Sequence, residues 1–194
     1  MSSVLLIAAS PSARSRSGAL LAAASERLQH LGLPPQTLRL RDLPATALLH
    51  ADFNHCSIQR AVQMVAEARV VVLATPIYKA AYSGLLKVFL DVLPQDGLKG
   101  KTVWPLASGG SLAHLLALDY ALMPVLASLG ARAHVDSVFA TDSQLQREAD
   151  GNYLVGEDVV RRLGLGASAV FDCLPRSQPS PAQLDPLSIP DLVQ

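Results

Sequence analysis

The chain has 194 residues and a formal net charge of zero, and half of its residues are hydrophobic while 16% are charged. This length suits one domain with a substantial core, and the lack of a basic tract argues against binding to a nucleic acid or an anionic membrane. The apolar runs are shorter than a membrane span and the N-terminus lacks the features of a signal peptide, which predicts a cytoplasmic protein.

The first half of the chain alternates short apolar strands with amphipathic helices. Residues 4–9 form a continuous apolar run, typical of a strand buried on both faces. A loop rich in serine and arginine follows, and then a helix that ends before the stop signal Gly32. A second strand is predicted over residues 36–40, a helix over 54–68 and a third strand over 69–76.

The second half continues the alternation. It predicts a helix over residues 84–93, a strand over 101–107, a long helix over 112–129, a strand over 131–140 and a last helix over 155–173. Crossovers of this length impose parallel pairing, so we expect an α/β fold, a doubly wound five-stranded parallel sheet with helices on both faces. This domain spans residues 1–174, and the prolines beyond it predict an irregular tail over residues 175–194.

Three unusual loops follow predicted strands, at the sheet edge where open α/β folds bind ligands. The first combines serine hydroxyls, helix N-terminal N–H groups and arginine, a pattern typical of a phosphate site. A serine-rich helix cap with solvated arginines is the alternative. Neither a Walker loop nor a dinucleotide fingerprint is present, so a monophosphate ester fits best. The residues assigned to it are Ser10, Arg14, Ser15, Arg16 and Ser17.

The other two loops suit a flat ring and its polar edge. The second places an aliphatic and an aromatic group on a turn stiffened by proline, and it contains Pro76, Ile77, Tyr78 and Lys79. An ordinary surface turn is the alternative. The third has a glycine pair that lets the backbone approach a ligand closely, although such turns are common. It contains Ser108, Gly109, Gly110 and Ser111.

The predicted helix over residues 112–129 contains a proline that should disturb it. Pro124 has no N–H, so the carbonyl of Tyr120 loses its helical partner and clashes with the proline ring. We therefore expect a kink or a single-turn π-bulge near Tyr120. Asp119 and Tyr120 also interrupt an otherwise apolar helix, and a tyrosine at the rim of the core is the simplest explanation.

No other residues form a convincing catalytic or metal site. The five histidines are scattered, without acidic or thiol residues at metal-ligand spacing, so no metal is expected. Cys56 and Cys173 have no nucleophile signature and are interpreted as inert thiols. Asp142 and Ser143, after the last strand, are interpreted as a turn, with a supporting role behind the site as the alternative.

Together, the three loops resemble those of the flavodoxin-like NAD(P)H-dependent FMN reductases. The stretches that carry the resemblance are SPSARSRSGALL, TPIYKAAYSGLLKVFLDVLP and LASGGSLAHLLALDYALMPVLASLGA. The resemblance covers residues 4–143 and extends in particular to the reductase component of two-component alkanesulfonate monooxygenase systems. It implies strand order 2-1-3-4-5. One departure is Ser12, at a position where many relatives carry an arginine.

The resemblance also implies ligands and partners. The ligands are FMN and NADPH (or NADH), and because the hydride chemistry belongs to the flavin, no catalytic side chain is expected. The first loop is implied to hold the flavin phosphate, and the other two to meet the ring. Tyr120 matches a tyrosine inserted at a subunit interface in sulfonate-associated reductases, which implies a role in oligomer packing and flavin release. Reduced flavin then passes to a monooxygenase for sulfonate desulfonation and sulfur acquisition.

The high apolar content predicts a homo-oligomer, either a dimer or a tetramer. Two other functions fit the same fold. One is an enzyme that retains its flavin and reduces quinones, azo dyes or metal oxyanions. The other is a flavodoxin-like electron carrier or sensor without turnover of its own, although carriers with this fold are usually strongly acidic and this chain is neutral.

Overall fold

A parallel sheet forms the centre of the molecule. The structure is a computed structural model that describes residues 3–174, and the tail predicted over residues 175–194 lies outside the described residues. The strands are β1 (Val4–Ala8), β2 (Gln36–Arg39), β3 (Val70–Tyr78), β4 (Ala81–Tyr82), β5 (Thr102–Gly109), β6 (Ala133–His134), β7 (Val138–Thr141), β8 (Leu145–Arg147) and β9 (Tyr153–Val155).

The strand order confirms the predicted topology. The main sheet runs β2-β1-β3-β5-β6, and β7 pairs with β5 farther along the same edge. The predicted fifth strand is therefore interrupted, since β6 pairs near the start of β5 and β7 near its end. Two short antiparallel pairings were not predicted. In one, β4 turns back onto the end of β3, and in the other β8 and β9 form a separate hairpin.

Alternation along the central strands divides the core between two faces of the sheet. Leu5, paired with Val71, packs into one apolar cluster with Val103 from β5. Their neighbours Leu6 and Val72 pack with Trp104 into the other cluster. Successive side chains therefore point to opposite faces, and because both faces are covered, the residues of the central strands are apolar throughout and do not alternate between apolar and polar.

Helices cover both faces. They are α1 (Arg16–His30), α2 (Ala45–Leu49), α3 (Cys56–Glu67), α4 (Gly84–Asp91), α5 (Met123–Ser128) and α6 (Glu157–Cys173). The apolar stripes of α1 and α6 pack on the face that contains Trp104, whereas α2, α3, α4 and α5 pack on the opposite face. In α6 the absent side chain of Gly166 makes room for the Trp104 ring, since a Cβ there would overlap it.

The chain after β5 departs from the long helix that was predicted. It forms a 3₁₀ turn over Leu112–Leu115, a π-turn over Leu118–Leu122 and then α5. The predicted π-turn near Tyr120 is confirmed, and Pro124 explains it, because it has no N–H to donate to the Tyr120 carbonyl four residues earlier. The prediction of a continuous helix over residues 112–129 was wrong, because the chain is α-helical only at residues 116–117 and in α5.

Candidate functional site

The three loops lie side by side at one edge of the sheet. The first loop leaves β1, whose Ala8 pairs with Ala74 of β3, and the Ala9 N–H continues this ladder by donating to the Ala74 carbonyl at 2.9 Å. Pro76 in the second loop pairs directly with Ser108 in the third. The structure therefore brings the three loops together at the ends of three adjacent strands.

Serine hydroxyls of the first loop surround the start of α1. Ser15 caps the helix, and its Oγ accepts from the Gly18 N–H at 3.0 Å. The Ser10 Oγ accepts from the Ser12 N–H at 3.2 Å. Ser17 is 1% exposed, and its Oγ has no hydrogen-bond partner among residues 3–174. A buried hydroxyl without a partner is costly, so Ser17 is a place where a ligand oxygen would be stabilising.

A cavity of about 760 Å³ opens beside this loop. Its volume is in the range of small-molecule sites. Arginines outnumber carboxylates on its walls, which favours an anionic ligand: the charged residues are Arg14, Arg27, Arg39 and Arg41 against Glu26 and Glu148. Residues 76–79 and 108–111 do not line it. A ligand bound at the first loop must therefore leave the cavity and lie along the open edge to reach the other loops.

Both arginines of the first loop contact residues between 142 and 153, of which only Asp142 and Ser143 had been considered for a supporting role. The Arg14 Nη1 donates to the carbonyl of Asp150 at 2.6 Å, in the turn between β8 and β9. The Arg16 Nε lies 3.3 Å from the Asp142 Oδ1, and the guanidinium carbon lies 5.2 Å from the centre of the Tyr153 ring. The predicted turn at Asp142 is confirmed as a 3₁₀ turn, and its carboxylate also pairs with Arg16.

The second loop is a strained hairpin turn between β3 and β4. Lys79 and Ala80 have φ angles of 50° and 62°, and the flanking residues Tyr78 and Ala81 pair across the turn. Left-handed backbone at two residues other than glycine is uncommon and often marks functional sites. Tyr78 and Lys79 are exposed, whereas Ile77 packs in the core. The Ile77 side chain thus packs mainly against the core, and its contact with a ring stays a prediction.

The third loop begins later than predicted, because β5 continues through Gly109. Ser108 and Gly109 are buried strand residues, and a Cβ at Gly109 would lie 3.0 Å from His114 Nδ1. Gly110 and Ser111 are exposed, and a Cβ at Gly110 would lie 3.9 Å from Asp142 Oδ2. The accessible part of this loop is therefore the Gly110–Ser111 backbone.

A buried hydrogen-bond network that was not predicted fastens the first two loops together. The Ser83 Oγ donates to the Ala9 carbonyl at 2.7 Å and accepts from the Leu86 N–H, which caps α4. The Ser83 N–H donates to the Thr75 Oγ1 at 3.0 Å. The sequence signal was a serine directly before a helix and a threonine at the end of an apolar strand. Because these groups are buried and satisfied, they hold the edge rigid.

One tyrosine near the edge, Tyr82, is partly buried, and another, Tyr120, is exposed. Burial raises the pKa of the Tyr82 hydroxyl, in β4, above its ordinary value, while the charge of Lys87 opposes the shift. Tyr82 therefore stays neutral at physiological pH. Tyr120 is 81% exposed on the π-turn, beside the exposed Leu112 and Leu116. These side chains form an apolar surface that no part of residues 3–174 covers.

Two further kinds of feature, a metal cluster and a membrane-spanning helix, are absent from the described part of the chain. Residues 3–174 contain no cluster of three or more histidines, cysteines or acidic residues placed to hold a metal ion. None of the helices in this range is long and apolar enough to cross a bilayer.

Comparisons with known proteins agree on one family. The family model described as NADPH-dependent FMN reductase matches residues 2–146. The FMN reductase (NADPH) of Pseudomonas putida is 49% identical over 142 residues, which cover 73% of this chain and 72% of the relative.

Solved structures give the same result. An NADH:FMN oxidoreductase (EMOB), solved in its apo form, matches with a TM-score of 0.80 and 39% identity over 92% of both chains. A Streptococcus pneumonia flavodoxin matches with a TM-score of 0.60 at 14% identity, covering 88% of this chain and 98% of its own, which supports the fold alone. The chain therefore belongs to the NADPH-dependent FMN reductase family, has a flavodoxin-like fold, and is an oxidoreductase that reduces FMN with NADPH or NADH.

Proposed function

We propose that the chain binds FMN along this sheet edge as a substrate and passes the reduced flavin to a partner monooxygenase. The observation that carries the binding site is the buried, unpartnered Ser17 hydroxyl at the start of α1, in a cavity bordered by arginines. A phosphate oxygen at this position would satisfy Ser17, and the N-terminal N–H groups of α1 favour an anion there. The serines and arginines present therefore fit the phosphate of FMN.

The residues divide into a phosphate group and a ring group. We assign the phosphate to Ser10, Arg14, Ser15, Arg16 and Ser17. When bound, FMN would supply the ring that takes up a hydride from the nicotinamide and a proton from solvent. Tyr78 and Lys79 would flank the ring, and the N–H groups of Gly110 and Ser111 would face its polar edge. Pro76, Ile77, Ser108 and Gly109 act through the backbone, because their side chains are absent or buried.

A comparison of two flavins tests the phosphate site. Riboflavin has the same ring as FMN and lacks the phosphate, so steady-state NADPH oxidation should show a lower KM for FMN. Ser17→Ala should raise the KM for FMN about tenfold, since a hydrogen bond to a charged group contributes about 1.5 kcal/mol or more. The KM for riboflavin should not change. Ser128→Ala, which removes an exposed hydroxyl bonded to the Val125 carbonyl, is the matched control.

Equal KM values for FMN and riboflavin in the parent protein would show that the first loop does not bind the phosphate. A shift of both KM values in Ser17→Ala would instead indicate general damage to the fold.

The exposed apolar surface around Tyr120 is the feature to which we assign both subunit contact and flavin release. We assign this surface to contact with a second copy of the chain, in a dimer or tetramer, because an exposed tyrosine flanked by leucines is unfavourable in water. The resemblance to alkanesulfonate systems gives the π-turn a second role, in letting flavin leave as product. The receiving enzyme is a flavin-dependent monooxygenase that desulfonates alkanesulfonates for sulfur acquisition.

Tyr120→Ala tests the release role. The variant should sediment as a smaller species than the parent, and it should retain flavin through purification, whereas Leu165→Ala, at another exposed leucine, should match the parent. A variant as oligomeric and as flavin-free as the parent would contradict the assignment.

A coupled assay tests the partner. The chain, NADPH and FMN are mixed in air-saturated buffer with a flavin-dependent alkanesulfonate monooxygenase and an alkanesulfonate, and sulfite release is measured. We expect sulfite only when all components are present. The flavin-retaining reductase would be favoured instead if the parent protein is purified with tightly bound flavin and its rate of NADPH oxidation does not depend on added FMN.

A further inference from the structure

The segment of residues 142–155 supplies acceptors for both arginines of the first loop; we call it the acceptor segment. Around Arg16 it places the Asp142 carboxylate at 3.3 Å, the Leu145 carbonyl at 3.4 Å and the face of the Tyr153 ring. A carboxylate, a carbonyl and an aromatic face are three different attractive partners for one guanidinium. Arg16 is therefore already neutralised in part before any anion arrives.

Arg14 is held by the turn of the same segment. Its Nη1 donates to the Asp150 carbonyl at 2.6 Å, and the next residue, Gly151, has a φ of 84°. A Cβ at Gly151 would lie 2.8 Å from the Arg14 Nη1, so the guanidinium packs directly against the backbone of this turn. The turn itself is rigid, because Asn152 donates twice to the Asp150 carboxylate. The first of these bonds, from the backbone N–H, lowers the pKa of Asp150.

The other arginines that line the cavity have different surroundings. Arg27 and Arg39 form no side-chain ion pair with any residue of the described chain, and the Arg41 Nε lies 3.4 Å from the Oδ1 of its neighbour Asp42. Arg14 and Arg16 are the two arginines whose acceptors come from the acceptor segment. Asp142 also lies beside the third loop, since a Cβ on Gly110 would be 3.9 Å from its Oδ2.

We infer that the acceptor segment weakens the binding of the flavin phosphate, with Asp142 as the residue that sets the affinity. A phosphate at the first loop has to share or displace the acceptors of Arg14 and Arg16, and it is repelled by the negative charge of Asp142. This inference rests on the proposed function, in which flavin must leave after each turnover. A phosphate site with free arginines would bind more tightly and release more slowly.

Asp142→Asn tests the inference, because it removes the charge and keeps the shape. Flavin fluorescence quenching gives the Kd of FMN and of riboflavin for each variant. The Kd of FMN should fall about twofold to fivefold, the range expected when one partly exposed ion pair is lost. The Kd of riboflavin should be unchanged. Asp158→Asn is the control, since it removes one negative charge from an exposed ion pair on α6.

Tyr153→Leu separates the loss of an Arg16 partner from a general change in charge. It removes the ring under the guanidinium at constant charge, so FMN should bind more tightly than to the parent, by a smaller factor than in Asp142→Asn. An unchanged or higher Kd for FMN in Asp142→Asn would overturn the inference, and so would an equal change for riboflavin. If the parent itself does not prefer FMN over riboflavin, the proposed phosphate site fails rather than the role of Asp142.

Discussion

The two chain segments that follow β1 and β5 begin alike and continue differently. Both leave the same sheet edge, and both start at a serine whose Oγ accepts a backbone N–H. For Ser15 the donor is Gly18 at 3.0 Å, and for Ser111 it is Ala113 at 3.3 Å. After Ser15, α1 runs regularly for 15 residues. After Ser111 the chain changes from a 3₁₀ turn to a π-turn before it becomes α-helical.

The difference lies in packing and in hydrogen-bond donors, not in the cap. α1 buries Leu20, Leu21 and Leu28 against the sheet, so its regular stripe is stabilised along its length. The second segment exposes Leu112 and Tyr120, and Pro124 removes one donor. A serine cap starts a helix, whereas burial of an apolar stripe keeps it regular.

The largest effect on the free energy of unfolding is expected next to the regular helix α1. α6 lies beside α1, and Gly166→Ala would place a Cβ in the Trp104 ring, so we expect a loss of about 3 kcal/mol in the free energy of unfolding. Gly164→Ala is the matched control, because its Cβ would meet nothing within 4 Å. It should stabilise the protein by about 0.5–1 kcal/mol. Urea unfolding measures both, and equal effects would show that α6 is not tightly packed here.

The buried edge network predicts the next effect. Ser83→Ala removes the hydrogen bond to the Ala9 carbonyl and the cap of α4, which should lower the free energy of unfolding by about 2 kcal/mol. Ser128→Ala removes an exposed hydroxyl and should change it by less than about 0.5 kcal/mol. If both variants unfold at the same urea concentration, the network does not hold the edge.

The π-turn gives a prediction that could break the comparison. Pro124→Ala restores an N–H that can donate to the Tyr120 carbonyl, so residues 118–128 should become a continuous α-helix with slower amide hydrogen exchange. The free energy of unfolding should change by less than about 1 kcal/mol, because Pro124 lies in the first turn of α5, where proline is tolerated. A π-turn that persists in a crystal structure of the variant would mean that packing imposes it, through the buried Leu118 and Leu122.

Much of the fold could be predicted because its signals are local. Apolar runs give the central strands, and the missing N–H of Pro124 gives the π-turn from one residue type. The hairpin of β8 and β9 was missed because each strand has three residues and no apolar run. Ile77 was predicted to lie on a turn stiffened by Pro76, whereas β3 continues to Tyr78 and Ile77 packs in the core.

The charge around the first loop could not be predicted from its own sequence. The acceptors of Arg14 and Arg16 are more than a hundred residues away in the chain, at separations of 136 and 129 residues. Such contacts depend on how the last hairpin lies beside α1, and no local pattern specifies that. The phosphate loop was recognisable, whereas the competition for its arginines was visible only in the fold.

The smallest effect on stability is expected for an exposed charge on α6, the helix beside α1. The Asp158 carboxylate accepts from Arg161 at 2.6 Å and Arg162 at 3.0 Å, and the first of these bonds holds its pKa below 3.8. Because the pKa is lowered in the folded state, the ionised carboxylate stabilises the fold when the pH is above the ordinary pKa of aspartate. This contribution is lost as the pH falls through the lowered pKa. Asp158→Asn should therefore lower the Tm slightly at pH 7, less than the other variants, and less still below pH 3.8 or in high salt. A Tm loss as large as that of Ser83→Ala would mean that charge, and not only packing, keeps the helices of this face in place.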